Sequence, residues 1–85
     1  MVSFMYTIRV PVGLHARHAG LLVREVQRYS SAVTLCFGKK QAGARRLMAL
    51  MRLGIHQGDL VEIRVEGEDE QAAALALKSF FWTNF

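Results

Sequence analysis

The chain has 85 residues, of which 52% are apolar and 21% charged, with a formal net charge of +4 and a single cysteine. This length indicates one small domain, residues 1–85, and one cysteine excludes an internal disulfide and favours the cytoplasm. The first residues lack the character of a secretory signal, and no apolar run approaches the roughly 20 residues of a membrane span. The basic residues are scattered and are not interleaved with exposed aromatics, which argues against nucleic-acid binding.

Two hydrophobic periods, together with turn signals, define seven predicted elements. Strict alternation of apolar and polar residues, as in residues 61–65, is the period of a strand with one buried face. Apolar residues three and four positions apart, as in the segment after Ala16, are typical of an amphipathic helix. Glycine-containing turn signals separate the segments. The predicted elements are strands at 4–10, 33–37, 41–43 and 61–66, and helices at 16–29, 47–53 and 70–83.

The element order β-α-β-β-α-β-α favours an α+β fold. Strands with one apolar face need a cover on that face only. Three helices packed on one side of a four-stranded antiparallel sheet provide that cover, so we expect a two-layer open-faced sandwich.

The last predicted helix ends in an aromatic segment. We expect Phe81 to pack on the sheet with one neighbour, and Trp82 and Phe85 to be surplus to the core and available for self-association. The predicted inner face of this helix consists of Ala73, Ala74, Leu77 and Phe81.

The segment Gly13-Leu14-His15-Ala16-Arg17 predicts a phosphoryl site. His15 stands at the first position of the predicted helix, where free backbone N–H groups and positive potential favour an anion. Neutral imidazole is a nucleophile near pH 7, and the guanidinium of Arg17 matches phosphate oxygens. The arrangement suits reversible attachment of a phosphoryl group to His15.

His18 permits several interpretations, because it lies three residues after His15 on the same helix face. It could accept the phosphoryl group itself, hydrogen-bond the phosphate, or pair with His15 on a metal ion. It could also have no role of its own and be a tolerated residue that weakens phosphoryl transfer through His15. Two histidines make a weak zinc site, since stable sites have three or four protein ligands, and His56 is too far along the chain to be assigned as a third. We expect neither a metal nor a cofactor.

An apolar cluster near this site indicates a docking surface. Exposed apolar residues beside a reactive group suggest partner binding, and methionine adapts to several partners. Leu50 and Leu53 suit the core, although the alternative that every apolar residue of this helix is buried remains open. The predicted docking patch comprises Gly20, Leu21, Leu47, Met48 and Met51.

The chain resembles HPr, the histidine-containing phosphocarrier of the bacterial phosphoenolpyruvate-dependent sugar phosphotransferase system, over essentially its whole length. Residues 13–17 resemble the family's active-site signature, residues 45–54 the segment around its second helix, and residues 58–61 and 66–70 its last strand and the turn that follows. The resemblance implies that His15 receives a phosphoryl group from phospho-Enzyme I and passes it to a histidine on the IIA component of a sugar permease. It further implies a phosphoryl carrier that is not an autonomous enzyme; we expect the chain to be a monomer.

Two positions depart from the family's pattern. The family usually has proline where this chain has His18, and many Gram-positive relatives have a serine, phosphorylated by a regulatory kinase, where this chain has Arg46. The alternative function is therefore a regulatory HPr-like module that docks on proteins without efficient phosphoryl relay.

Overall fold

The computed structural model describes residues 1–85 and contains seven elements in the predicted order. None of its helices is both long enough and apolar enough to cross a membrane. The strands are β1 (Val2–Thr7), β2 (Ala32–Phe37), β3 (Lys40–Gly43) and β4 (Leu60–Glu66), and the helices are α1 (Ala16–Val26), α2 (Leu47–Met51) and α3 (Glu70–Asn84).

The four strands form one antiparallel sheet in the order β1-β4-β2-β3. Ile63 of β4 pairs with Phe4 of β1 on one side and with Leu35 of β2 on the other, and Leu35 pairs in turn with Ala42 of β3. Because residues in register across a sheet point to the same face, these four side chains form one apolar row beneath the helices.

The three helices cover only this face, so the predicted open-faced sandwich is confirmed. The four residues assigned to the inner face of α3 are all buried, with Phe81 packed edge-on against Phe4 and Tyr6. Helix α1 buries Ala19, Leu22 and Val26. Full burial of a leucine such as Leu22 contributes about 1.5–3 kcal/mol, so this shared core is the main source of stability.

Phe85 lies in the core, and the expectation that it is surplus is wrong. Its side chain is 2% exposed, and its ring centre is 4.8 Å from that of Phe81. Its carbonyl oxygen accepts the N–H groups of Arg9 at 2.6 Å and Val10 at 3.0 Å. Because α3 continues to Asn84, it carries Phe85 over the loop that follows β1; Trp82 is exposed, as expected.

Helix α1 ends at Val26, three residues earlier than predicted. The N–H groups of Arg28 and Tyr29 bond to carbonyls only three residues back, so the chain tightens into turns. The guanidinium of Arg45 donates to the carbonyls of Val26, Tyr29 and Ser31 at 3.2, 2.5 and 3.1 Å. A cation from a distant segment thus binds three carbonyls at and just after the helix end, and the Val26 carbonyl among them also accepts the Tyr29 N–H.

Candidate functional site

The loop between β1 and α1 is fixed against the loop between α2 and β4. The N–H of Leu14 donates to the carbonyl of Ile55 at 3.1 Å, and the Leu14 side chain is buried. Gly13 has a φ of +71°, and a Cβ on it would lie 2.5 Å from the Ile55 oxygen. Only glycine permits this approach, which holds the backbone just before His15 in place.

His15 is the N-cap of α1, one position before the first helical residue, Ala16, and not itself the first residue of the helix. Its backbone is extended, with φ −83° and ψ 177°, and its carbonyl accepts the Ala19 N–H at 2.8 Å. Its side chain is exposed and makes no capping hydrogen bond. The imidazole is therefore presented to solvent by a fixed backbone.

The N-terminus of α1 is suited to an anion. The backbone N–H groups of Ala16, Arg17 and His18 have no hydrogen-bond partner in the chain, and the first turn contains no acidic residue. Unpaired N–H groups and the positive end of the helix dipole both attract negative charge.

Arg17 is exposed and makes neither a hydrogen bond nor an ion pair. Its guanidinium is therefore free to meet an anion delivered to the same end of α1, where five N–H donors match the geometry of phosphate oxygens.

His18 is half-buried, with its ring centre 5.6 Å from that of Phe85 in an edge-on arrangement. Its Nδ1 atom is buried and has no hydrogen-bond partner. Lacking solvent access, this nitrogen is not available to an incoming phosphoryl group or metal ion. No group of three or more histidine, cysteine or acidic residues in the chain is arranged to hold a metal ion.

Helix α2 and the turn that follows it separate their apolar residues into two faces. Leu50 of α2 and Leu53 of the turn are buried, as expected, whereas Met48 is 58% exposed and Leu47 and Met51 are also exposed. The alternative that all five residues belong to the core is therefore wrong. Gly20 and Leu21 of α1 are half-buried.

A shallow depression with a volume of about 250 Å³ joins the site to this exposed face. It brings together His15 from the α1 cap, Met51 from α2, and His56 from the loop before β4. Sequence reasoning missed His56 because no local spacing relates it to His15. The lining residues are Leu14, His15, Met51, Gly54, Ile55 and His56.

Comparison with known proteins gives one consistent family. Residues 2–82 match the family model described as the PTS HPr component phosphorylation site. The phosphocarrier protein HPr of Xylella fastidiosa (strain Temecula1) is 33% identical over 85 residues, which cover all of this chain and 96% of the relative.

Two solved structures extend the comparison. HPr-C-His from Thermoanaerobacter tengcongensis is 34% identical with a TM-score of 0.93, covering 100% of this chain and 96% of that one. Crh of Bacillus subtilis, described as a catabolite repression protein that forms a swapped dimer, is 36% identical with a TM-score of 0.78, covering 99% of this chain and 97% of that one.

Proposed function

Because this chain belongs to the HPr family of phosphocarrier proteins, we propose that it accepts a phosphoryl group from phospho-Enzyme I on His15 and passes it to IIA components of sugar permeases. The observation that carries the proposal is the exposed His15 imidazole at a helix N-terminus whose N–H groups are unpaired. Residues 1–85 then act as one cytoplasmic carrier domain that needs its partners for turnover.

The transfer requires positioning and charge stabilisation. A ring nitrogen of His15 attacks phosphorus in line, and the N–P bond forms as the bond between phosphorus and the donor group of Enzyme I breaks. Arg17 and the free N–H groups of α1 stabilise the negative charge on the phosphoryl oxygens. Because this set of donors is small, it does not overstabilise the phosphorylated protein, which must still transfer its phosphoryl group to the acceptor.

The docking patch gives one surface for donor and acceptor alike. Met48 and its exposed neighbours on α2 are apolar, and Met51 also lines the depression that contains His15. A partner that covers this patch therefore lies beside the reactive imidazole, and the flexible thioethers adapt to partners of different shape.

The test is phosphorylation by phosphoenolpyruvate and Enzyme I, followed by intact mass. We expect the wild-type protein to gain one acid-labile, base-stable phosphoryl group and His15→Ala to gain none. His18→Ala is the control and should be labelled. Normal labelling of His15→Ala together with loss of labelling in His18→Ala would assign the nucleophile to His18.

The similarity to Crh and the presence of His18 favour a second candidate, a regulatory module that docks on proteins without efficient relay. In that case the folded protein would bind its partners but remain unlabelled.

We further propose a monomer, in contrast to the swapped Crh dimer. Sedimentation at micromolar concentration should give the mass of one chain, and a dimer mass would contradict the proposal.

A further inference from the structure

The depression beside His15 contains one other ionisable group, the imidazole of His56. His56 lies in the loop between α2 and β4, and its side chain is 78% exposed. The phosphoryl transfer proposed above gives His56 no role. The remaining lining residues carry no ionisable side chain, so an anion in the depression meets only the two histidines.

The backbone of His56 is held in a fixed relation to His15. A Cβ on Gly13 would lie 2.9 Å from the His56 Cα, and Leu14 bonds to the preceding residue, Ile55. The His56 N–H also donates to the Asp59 carboxylate at 2.8 Å. These contacts keep the two loops together, so the proximity of the two histidines is built into the fold.

The ring of His56 is free to bind a ligand. Its Nδ1 atom lies 4.0 Å from Oδ2 of Asp59, too far for a hydrogen bond, and neither ring nitrogen has a hydrogen-bond partner in the chain. An imidazole ring has at least one N–H group, and a free ring N–H can donate a hydrogen bond to a phosphoryl oxygen.

We propose that His56 is a second contact of the phosphoryl group on His15, donating a ring N–H to one of its oxygens across the shared depression. The inference rests on the proposed phosphorylation of His15 and adds a phosphate-contacting residue to it. Arg17 and the α1 N–H groups then bind the phosphoryl group from the helix side, and His56 binds it from the loop before β4.

The first experiment uses phosphoramidate, which phosphorylates histidine without Enzyme I. The His15 nitrogen forms the bond to phosphorus, the P–N bond of phosphoramidate breaks, and ammonia leaves with the proton. NMR of imidazole nitrogens then compares labelled and unlabelled protein. We expect the His56 signals to move on labelling of His15; unchanged His56 signals, or failure to label His15, would overturn the inference.

The second experiment measures the phosphorylated fraction at a fixed ratio of phosphoenolpyruvate to pyruvate with Enzyme I. His56→Leu should lower the phosphorylation equilibrium constant by about two- to tenfold, the range for one net hydrogen bond. His56→Gln, which retains an N–H donor, should recover most of it. Gln27→Leu, a matched polar-to-apolar change at an exposed position outside the depression, should have no effect.

The outcomes separate the two proposals. Labelling by phosphoramidate but not by Enzyme I would contradict the proposed relay function. The His56 contact would then stand if the His56 NMR signals move on labelling and fall if they do not. Equal equilibrium constants for wild type, His56→Leu and His56→Gln would overturn the contact while the relay stands. An equal loss in both variants would also overturn it, because a hydrogen-bond donor would then not be what matters.

Discussion

At the scale of single residues, Arg17 is a cation that the fold leaves without a partner. Arg17→Ala should therefore keep the melting temperature of the wild type, because no internal contact is lost. It should slow transfer to His15 by an amount equivalent to about 1.5–3 kcal/mol, the range for a hydrogen bond to a charged group. Rapid-quench phosphorylation measures the rate, and a value within a factor of two of wild type would exclude a phosphate contact.

His18 combines a packing role with an unpaired buried atom. His18→Pro would lose the edge contact with Phe85, which stabilises the fold by about 0.5–1.5 kcal/mol. Two effects of the substitution are stabilising: it removes the buried, unpaired Nδ1 atom, and proline reduces the conformational entropy of the unfolded chain. The His18 N–H has no partner to lose, since it belongs to the first turn of α1.

We therefore expect His18→Pro to raise the free energy of unfolding by about 1 kcal/mol in urea titrations. Labelling of His15 should be unchanged or faster. Slower labelling with unchanged folding would show that the histidine itself assists transfer, and the interpretation of His18 as a tolerated substitution would fail.

At the scale of elements, α2 is a short helix with a buried face and an exposed apolar face, which is the proposed docking face. Met48→Asp adds a charge at a solvated position, so stability should stay within about 0.5 kcal/mol of wild type. Binding to Enzyme I, measured by calorimetry, should weaken at least tenfold because the carboxylate would be desolvated in the interface.

Two controls accompany Met48→Asp. Leu75 is 72% exposed on α3, outside the docking patch, and Leu75→Asp should leave Enzyme I binding intact. Leu50→Ala opens a cavity in the core and should cost about 2–5 kcal/mol of stability. If Met48→Asp lowers the melting temperature as much as Leu50→Ala, the exposed face of α2 is wrongly assigned.

At the scale of the whole molecule, hydrophobic period and turn signals together predict the number, order and type of the elements. Most of the elements have one buried face, and the inner face of α3 can be read directly from Ala73 to Phe81. The chemistry proposed for residues 13–17 is equally local, because His15, the helix cap and proposed nucleophile, and the cation Arg17 are two residues apart in the chain.

The features that sequence reasoning missed all depend on contacts between distant segments. The Arg45 guanidinium binds the carbonyl of Val26 at the end of α1, although the two residues are 19 positions apart. Phe85 belongs to the core because α3 places it against Arg9 and Val10 in the loop after β1. His56 reaches the His15 depression through loop pairing at Gly13. Periodicity carries no information on such contacts, since none recurs at helical or strand spacing.

One long-range tie makes stability depend on pH. The Asp69 carboxylate accepts the N–H groups of Ser30 and Ser31, both at 2.9 Å, and the Ser31 hydroxyl, joining the turn before α3 to the turn after α1. These bonds, the Ser31 hydroxyl foremost, hold the pKa of Asp69 below its ordinary value of 3.8. The Gly67 N–H and then the terminal ammonium lower the pKa of Glu70 from 4.5.

A carboxyl whose pKa is lower in the folded state stabilises the fold when ionised. The stabilisation from Asp69 and Glu70 should therefore be fully present above about pH 5 and be lost as pH falls through 4.5 and 3.8 toward their folded values. Asp69→Asn should lower the melting temperature at pH 7 and flatten its decline in acid. Glu68→Gln removes a carboxylate in the same turn that makes no hydrogen bond or ion pair, so it should follow the wild-type curve. Melting curves from pH 7 to pH 2.5 provide the measurement, and parallel declines for wild type and Asp69→Asn would show that this tie does not set the acid stability of the fold.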